Sequence, residues 1–226
     1  MKNVKSFAVL AASSIVCATV PTEFAYSTTV DFFTNFSDFD QLTTTTLVED
    51  FEAVTPKDTL LSSFVSNDNT YTGLAGSRGG MSFPNVVVAS PGYTNFGIPV
   101  TTSSILSANG DEDFTIDFGS PTQVVGFDTY LNAFGPATVS VFGSSGLLDT
   151  LVLSHDPTEV GFLGIVADEV ITSIRWDSVN GRVINTGVDN ILQGEIRQSE
   201  STPEPSVVLS VCLAGAGSLL LKRKKS

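Results

Sequence analysis

The stretch DFTIDFG, residues 113–119, sets Phe114, Ile116 and Phe118 in alternation with Thr115 and Asp117. A period of two sends successive side chains to opposite sides of an extended strand, so one side here is apolar and the other polar. VITSIRWDS, residues 170–178, repeats the pattern, with Val170, Ile174 and Trp176 on the inner face and Ser173, Arg175 and Asp177 on the outer one. Working outward, short runs rich in Val, Ile, Phe and Thr recur along the chain: LVEDFEAV, NVVVAS, QVVGFDTYL, ATVSVFG, LDTLVLS, VGFLGIV and RVINTGVDNILQ. Gly, Pro and Asn separate them in GSPTQ, NAFGP, GSSG, HDPTE and VNGR, the last suited to the positive φ angles of a tight hairpin. FFTNFSDFDQL, residues 32–42, reads as a short helix in a mixed lead-in that ends TTTT. Short alternating strands without helical crossovers predict an all-β domain, a two-sheet antiparallel sandwich of jelly-roll type. Residues 62–110, rich in Gly, Asn and Ser, are expected to hold long loops, where binding residues often sit.

The two ends differ from this middle. At the N-terminus, Lys2 and Lys5 precede an apolar stretch from Phe7 to Val20 and then small residues, the order of a secretory signal peptide. Val16 and Ala18 suit cleavage after Ala18. At the C-terminus, Val207 to Leu221 is apolar and Lys222, Arg223, Lys224 and Lys225 follow at once. Those fifteen residues fall short of the roughly twenty that a helix needs to cross a bilayer, and the basic side chains compensate by reaching to the headgroups. Pro203 and Pro205 keep the intervening Glu204 extended. The expected organisation is a signal peptide and lead-in over 1–25, a β-sandwich over 26–199, and a C-terminal signal with a transmembrane helix over 200–226.

Pro203, Glu204 and Pro205, the short apolar segment and the basic tail together resemble the PEP-CTERM sorting signal of Gram-negative bacteria. The resemblance implies recognition by an exosortase, a membrane transpeptidase-like protease. It also implies passage through the inner membrane and a final place at the cell surface or outside the cell. Proteins bearing this signal are often found in bacteria that make extracellular polysaccharide. Within the domain, VEDFEAV, VVGFD, VSVFGSSGLL, VGFLGIV and GVDNIL resemble the carbohydrate-binding-like sandwich ectodomains of many PEP-CTERM proteins. They are also similar to other lectin-like sandwiches, in which a first-strand FE lies close to a last-strand DN.

Between the two signals, five cations stand against twenty-two carboxylates, a net charge near −17 that is more extreme than the −13 of the whole chain. Such a surface repels nucleic acid phosphates and anionic membranes, and it favours divalent cations or neutral ligands such as sugars. Both cysteines, Cys17 and Cys212, fall in the terminal signals, so no disulfide braces the domain.

Few residues suggest chemistry. If the first and last strands are neighbours, as the resemblance implies, Asp50, Glu52 and Asp189 converge with Asn190 and offer oxygen ligands to a structural calcium. Strand alternation opposes the full set, because Asp189 and Asn190 point to opposite faces unless a bulge intervenes. The acidic run NGDEDF, residues 109–114, has alternate-residue oxygen spacing but lacks the glycine and glutamate of an EF-hand, and it reads as a solvated turn. The single histidine, His155, stands between Ser154 and Asp156 in a turn, where neighbours in sequence do not form a Ser/His/Asp relay. Tyr71, Tyr93, Phe96 and Tyr130 are the candidates for stacking on sugar, with Tyr93 and Tyr130 foremost, while Trp176 is assigned to the core. Three readings stay open: a non-catalytic surface protein that associates with polysaccharide, a secreted hydrolase of polysaccharide, and a purely structural matrix component.

Overall fold

The computed structural model describes residues 29–74, 84–92, 101–109, 113–133, 135–179 and 186–197. The Pro203–Glu204–Pro205 tail, the N-terminal apolar stretch, Tyr93, Phe96 and residues 110–112 of the NGDEDF run lie outside these residues. Among the described residues no helix is long and apolar enough to cross a membrane.

Among the described residues, eleven strands and one helix follow in the order β1 (Val30–Phe33), α1 (Phe36–Leu42), β2 (Thr43–Glu49), β3 (Ser63–Ser66), β4 (Asn69–Gly73), β5 (Asn85–Ala89), β6 (Ile105–Asn109), β7 (Phe114–Leu131), β8 (Ala137–Gly143), β9 (Gly146–Leu153), β10 (Gly161–Ser178) and β11 (Thr186–Ile196). Every pairing between them is antiparallel. The all-β antiparallel architecture read from the alternation is therefore the one observed. Its two layers are halves of a single folded sheet, because β7 and β10 are each 18 residues long and run through both. One layer joins β3, β4, the first half of β7, the second half of β10, β8 and β9. The other joins β5, β6, β2, β11, the second half of β7, the first half of β10 and β1. The corner lies where the register of the β7–β10 pair shifts, between Val166 and Ser173, a local irregularity of the kind that lets strands turn from one layer into the next.

That corner also corrects the reading of VITSIRWDS. Ile174 and Trp176 are fully buried as expected, but Val170 is 41% exposed and Ile171 is buried in its place. The extra residue in the bulge moves the inward position by one, which a strict period of two does not anticipate. Residues 62–110 likewise contain four strands, β3 to β6, in addition to loops. TTTT, taken as lead-in, is the start of β2, whose Thr43 to Thr46 pair with Ile196 to Gln193 of β11. GSSG forms the β8–β9 hairpin, with Gly146 at φ 113°.

Between the layers Phe114, Ile116, Phe118, Phe127, Leu163, Ile165, Ile171, Ile174 and Trp176 form one buried cluster. Trp176 stacks on Phe114 within its own layer, with ring centroids 5.8 Å apart, and meets Phe127 of the other layer edge-on at 6.0 Å. The outer faces differ. Across the first layer a single register row reads Thr72, Thr115, Arg175, Ser140 and Thr150, a solvated surface. Across the second layer the outward positions include Gly126, Gly164, Phe162 and Leu192, and this apolar face is partly covered by α1.

Helix α1 forms where Asn35 accepts a hydrogen bond from the Ser37 backbone N–H at 2.8 Å and Asp38 lies in the first turn beside the positive helix end. Its buried anchor is Phe39, seated over glycines on two neighbouring strands. A Cβ on Gly164 would enter the Phe39 ring, and one on Gly126 would come within 3.2 Å of it. Phe33 and Phe162 flank Phe39, with centroids 6.0 and 5.4 Å away.

Candidate functional site

Anchored in this way, α1 raises Phe36 as a wall above the outer face of the second layer. Phe36 and Phe162 meet edge to face at 5.3 Å with an interplanar angle of 85°. With Leu47, Leu192, Asp128 and Asn190 they line an open groove of about 380 Å³. Register explains how residues so far apart in sequence assemble. Leu47 pairs with Leu192, Leu192 with Gly126, and Gly126 with Gly164, while Asp128 pairs with Phe162 one outward step further along. Phe36 and Leu47 are each about half exposed, at 50% and 53%, so apolar surface is open to solvent at the groove.

The polar end of the groove depends on a bulge in β11. Asn190 has φ 48°, a left-handed conformation that asparagine tolerates better than most residues. The register of β11 shifts against both β2 and β7 at this point. Because of the bulge, Asp189 faces Asp128 directly across the strands while the Asn190 side chain also turns to Asp128, donating from Nδ2 to Oδ2 at 2.7 Å. Strict alternation had set Asp189 and Asn190 on opposite faces; the bulge brings both beside Asp128.

Asp189 itself is wholly buried. Its Oδ2 accepts from the Ser103 hydroxyl at 2.6 Å and its Oδ1 from the Asn190 backbone N–H at 2.7 Å. Burial, helped by the charges of Asp128 and Glu52, outweighs these two donors and raises its pKa from 3.8 to about 6. Glu52 is held below the usual carboxylate range, first by the Ser104 backbone N–H at 2.8 Å, then by the Ser104 hydroxyl at 3.0 Å and by Lys57. Lys57 bridges the pair, 3.3 Å from Glu52 Oε2 and 2.6 Å from Ser104 Oγ.

The expectation that the first and last strands adjoin holds, since Glu49 of β2 pairs with Ile191 of β11. The calcium set expected from it does not assemble. Asp50 Oδ1 accepts the backbone N–H of Glu52 at 3.1 Å in a local turn, and both carboxylate oxygens of Glu52 are taken up by Ser104 and Lys57. Asp189 is enclosed with Ser103. Among the described residues no three His, Cys, Asp or Glu side chains gather as ligands of one metal ion.

Tyr130 also departs from expectation. It is 5% exposed, packed with Ala89 and Ile105, and burial raises its pKa to about 12, so neither ring face is open to a sugar. Tyr71 is wholly buried, stacked at 4.8 Å on Phe64. Tyr93 lies outside the described residues.

His155 is a structural residue. Its Nδ1 lies 2.9 Å from the carbonyl oxygen of Asp156, which only accepts, so Nδ1 carries the hydrogen and Nε2 receives the Thr129 hydroxyl at 3.2 Å. The Asp156 carboxylate turns instead to the Thr158 backbone N–H and hydroxyl, at 2.8 and 2.7 Å, and these lower its pKa. No relay with Ser154 results.

The molecule is thus an all-β antiparallel domain with an aromatic groove on one outer face and a carboxylate and an amide at its polar end. No protein-family profile and no curated relative matches the chain. Among solved structures it overlaps family 29 carbohydrate-binding modules. One, bound to mannohexaose, shows 12% identity and a TM-score of 0.35 over 67% of this chain and 91% of the other. Another, from Piromyces equi, shows 11% identity and a TM-score of 0.36 over 67% of this chain and 89% of the other. A third, bound to cellulohexaose, shows 17% identity and a TM-score of 0.29 over 56% of this chain and 91% of the other. At TM-scores this low, neither their family nor their binding sites transfer to this chain.

Proposed function

We propose that the chain is an exported bacterial surface or extracellular-matrix protein, sorted through its PEP-CTERM-like tail by an exosortase, whose domain associates with polysaccharide without catalysing a reaction on it. The observation that carries the binding half is the groove between Phe36 and Phe162 with Asp128 and Asn190 at its end. Sugar rings present C–H faces that pack on aromatic rings, and hydroxyls that need donors and acceptors beside those rings. The groove offers both, with the Phe36 and Phe162 rings beside Asp128 and Asn190.

The acidic pair Asp128 and Asp189 raises the hydrolase reading, because glycosidases work with two carboxylates. Complete burial of Asp189 favours binding over hydrolysis, since an acid or nucleophile must touch its substrate.

Binding of the full chain to a panel of immobilised polysaccharides tests the reading. Phe36→Ala and Phe162→Ala are each expected to weaken the best interaction roughly tenfold. A chain that retains nothing on the panel, or variants that bind as well as the parent, would refute it.

A further inference from the structure

The described cations are all committed away from the groove. Lys57 is bound to Glu52 and Ser104, Arg175 to Asp177, and Arg197 to the Thr43 carbonyl. What the groove contains instead is Asp128, paired across the strands with a second carboxylate, Asp189. Two acids directly opposite on neighbouring strands repel each other, and a positive group placed against Asp128 relieves that repulsion. Among the described residues, the polar partner of Asp128 Oδ2 is the neutral amide of Asn190, which orients the carboxylate without neutralising it. Beside it stand the Phe36 and Phe162 rings, one edge-on to the other at 5.3 Å. A carboxylate next to aromatic rings is a favourable setting for an ammonium group, which gains a charge-assisted hydrogen bond on one side and the negative ring faces on the other.

We infer that the groove selects glycans carrying free amino sugars, with the ammonium group against Asp128 and the sugar ring against Phe36 and Phe162. The inference rests on the polysaccharide reading and narrows it. Uronic acid and sulfated polymers, which bring negative charge to Asp128, are disfavoured. An N-acetylated sugar keeps the ring but lacks the charge, and it binds as a neutral hexose does.

The test compares the full chain with β-1,4-linked oligomers of glucosamine, N-acetylglucosamine and glucose, by calorimetry at low and moderate salt. The glucosamine oligomer is expected to bind about tenfold more tightly than the other two, with an advantage that shrinks as salt rises. Asp128→Asn, which keeps shape and an acceptor for Asn190, should abolish the advantage, so that the glucosamine oligomer binds the variant no more tightly than the other two do. If the parent binds all three alike, or if Asp128→Asn keeps the preference, the amino-sugar inference is wrong and the polysaccharide reading stands. If the preference is lost in Asp128→Asn but Phe36→Ala and Phe162→Ala change nothing, the sugar ring is not held against those rings and the inference is likewise overturned. Failure to bind any of the three, together with failure on the wider panel, removes the underlying reading.

Discussion

Asp189 combines full burial with an unneutralised neighbour, and the consequence for stability has a definite sign. Its folded pKa lies at about 6 against 3.8 for the free side chain, chiefly because burial disfavours the charged form. Between those values the folded chain holds a proton that the unfolded chain has released, so stability falls as pH rises through the interval. Below it both states are protonated and the group contributes nothing; above it both are ionised and the full cost of burying the charge is present. A difference of this size corresponds to roughly 2–3 kcal/mol at neutral pH. Asp189→Asn keeps an acceptor for the Asn190 backbone N–H and can donate to Ser103. Relative to the parent, it should therefore gain about 2–3 kcal/mol between pH 4 and pH 7.5. Urea melts at the two pH values measure the gain, and a variant whose stability runs parallel to the parent across that range would show that Asp189 is already neutral or well solvated. Nothing in the sequence around GVDNIL marks Asp189 as buried. The mark is the left-handed Asn190 beside it, and asparagine at a strand bulge is a weak signal because the residue is equally common in turns.

Helix α1 is the element that converts a covered sheet face into a groove. Seven residues are too few to be stable alone, so its position depends on Phe39 filling the space left by Gly126 and Gly164. Phe39→Leu, which loses contacts with Phe33 and Phe162, should cost about 1–2 kcal/mol. The loss should fall locally: hydrogen exchange over residues 33–42 should quicken while the amides of β7 and β10 between the layers keep their protection. Glycan affinity should fall in step, because Phe36 rides on the same helix. Unchanged exchange in α1 would show that it is held by something other than Phe39. The element scale is also where the sequence was most and least informative. Phe114, Ile116 and Phe118 announce their strand by period alone, and all three are buried at 6% exposure or less. FFTNFSDFDQL reads as a short helix, and the structure places Asn35 at its N-cap and Asp38 in its first turn. The groove was not readable, because Leu47, Asp128, Phe162 and Leu192 meet only through the register of four strands, with Phe36 brought over them by α1, and register is set by long-range pairing rather than by local pattern. A faint sign did exist in VVGFDTY, where Asp128 interrupts an otherwise apolar strand on the same side as Gly126.

For the whole molecule, the acidic domain and the expected terminal signals are consistent with the proposed surface or extracellular role. A net charge near −17 between the signals keeps the domain off anionic lipid and off other copies of itself. In the sorting route proposed above, attachment before processing would depend on the C-terminal apolar segment and its four cations, and Pro203 and Pro205 disfavour helix at the tripeptide that the protease would read. Replacing Pro203 and Pro205 together by alanine restores backbone donors and permits helix, so the tripeptide should join the apolar segment as a continuous helix and withdraw from an enzyme that needs an extended substrate. In a host that carries an exosortase, the double variant should accumulate as full-length precursor in the inner-membrane fraction, while the parent appears as a shortened species at the surface or in the medium. The groove lies on the folded domain, so the retained precursor should bind glycan as the processed form does once extracted. Processing at the parental rate would show that the tripeptide is not what the enzyme reads. A precursor that is both retained and unable to bind would instead mean that the substitutions had disturbed the domain itself.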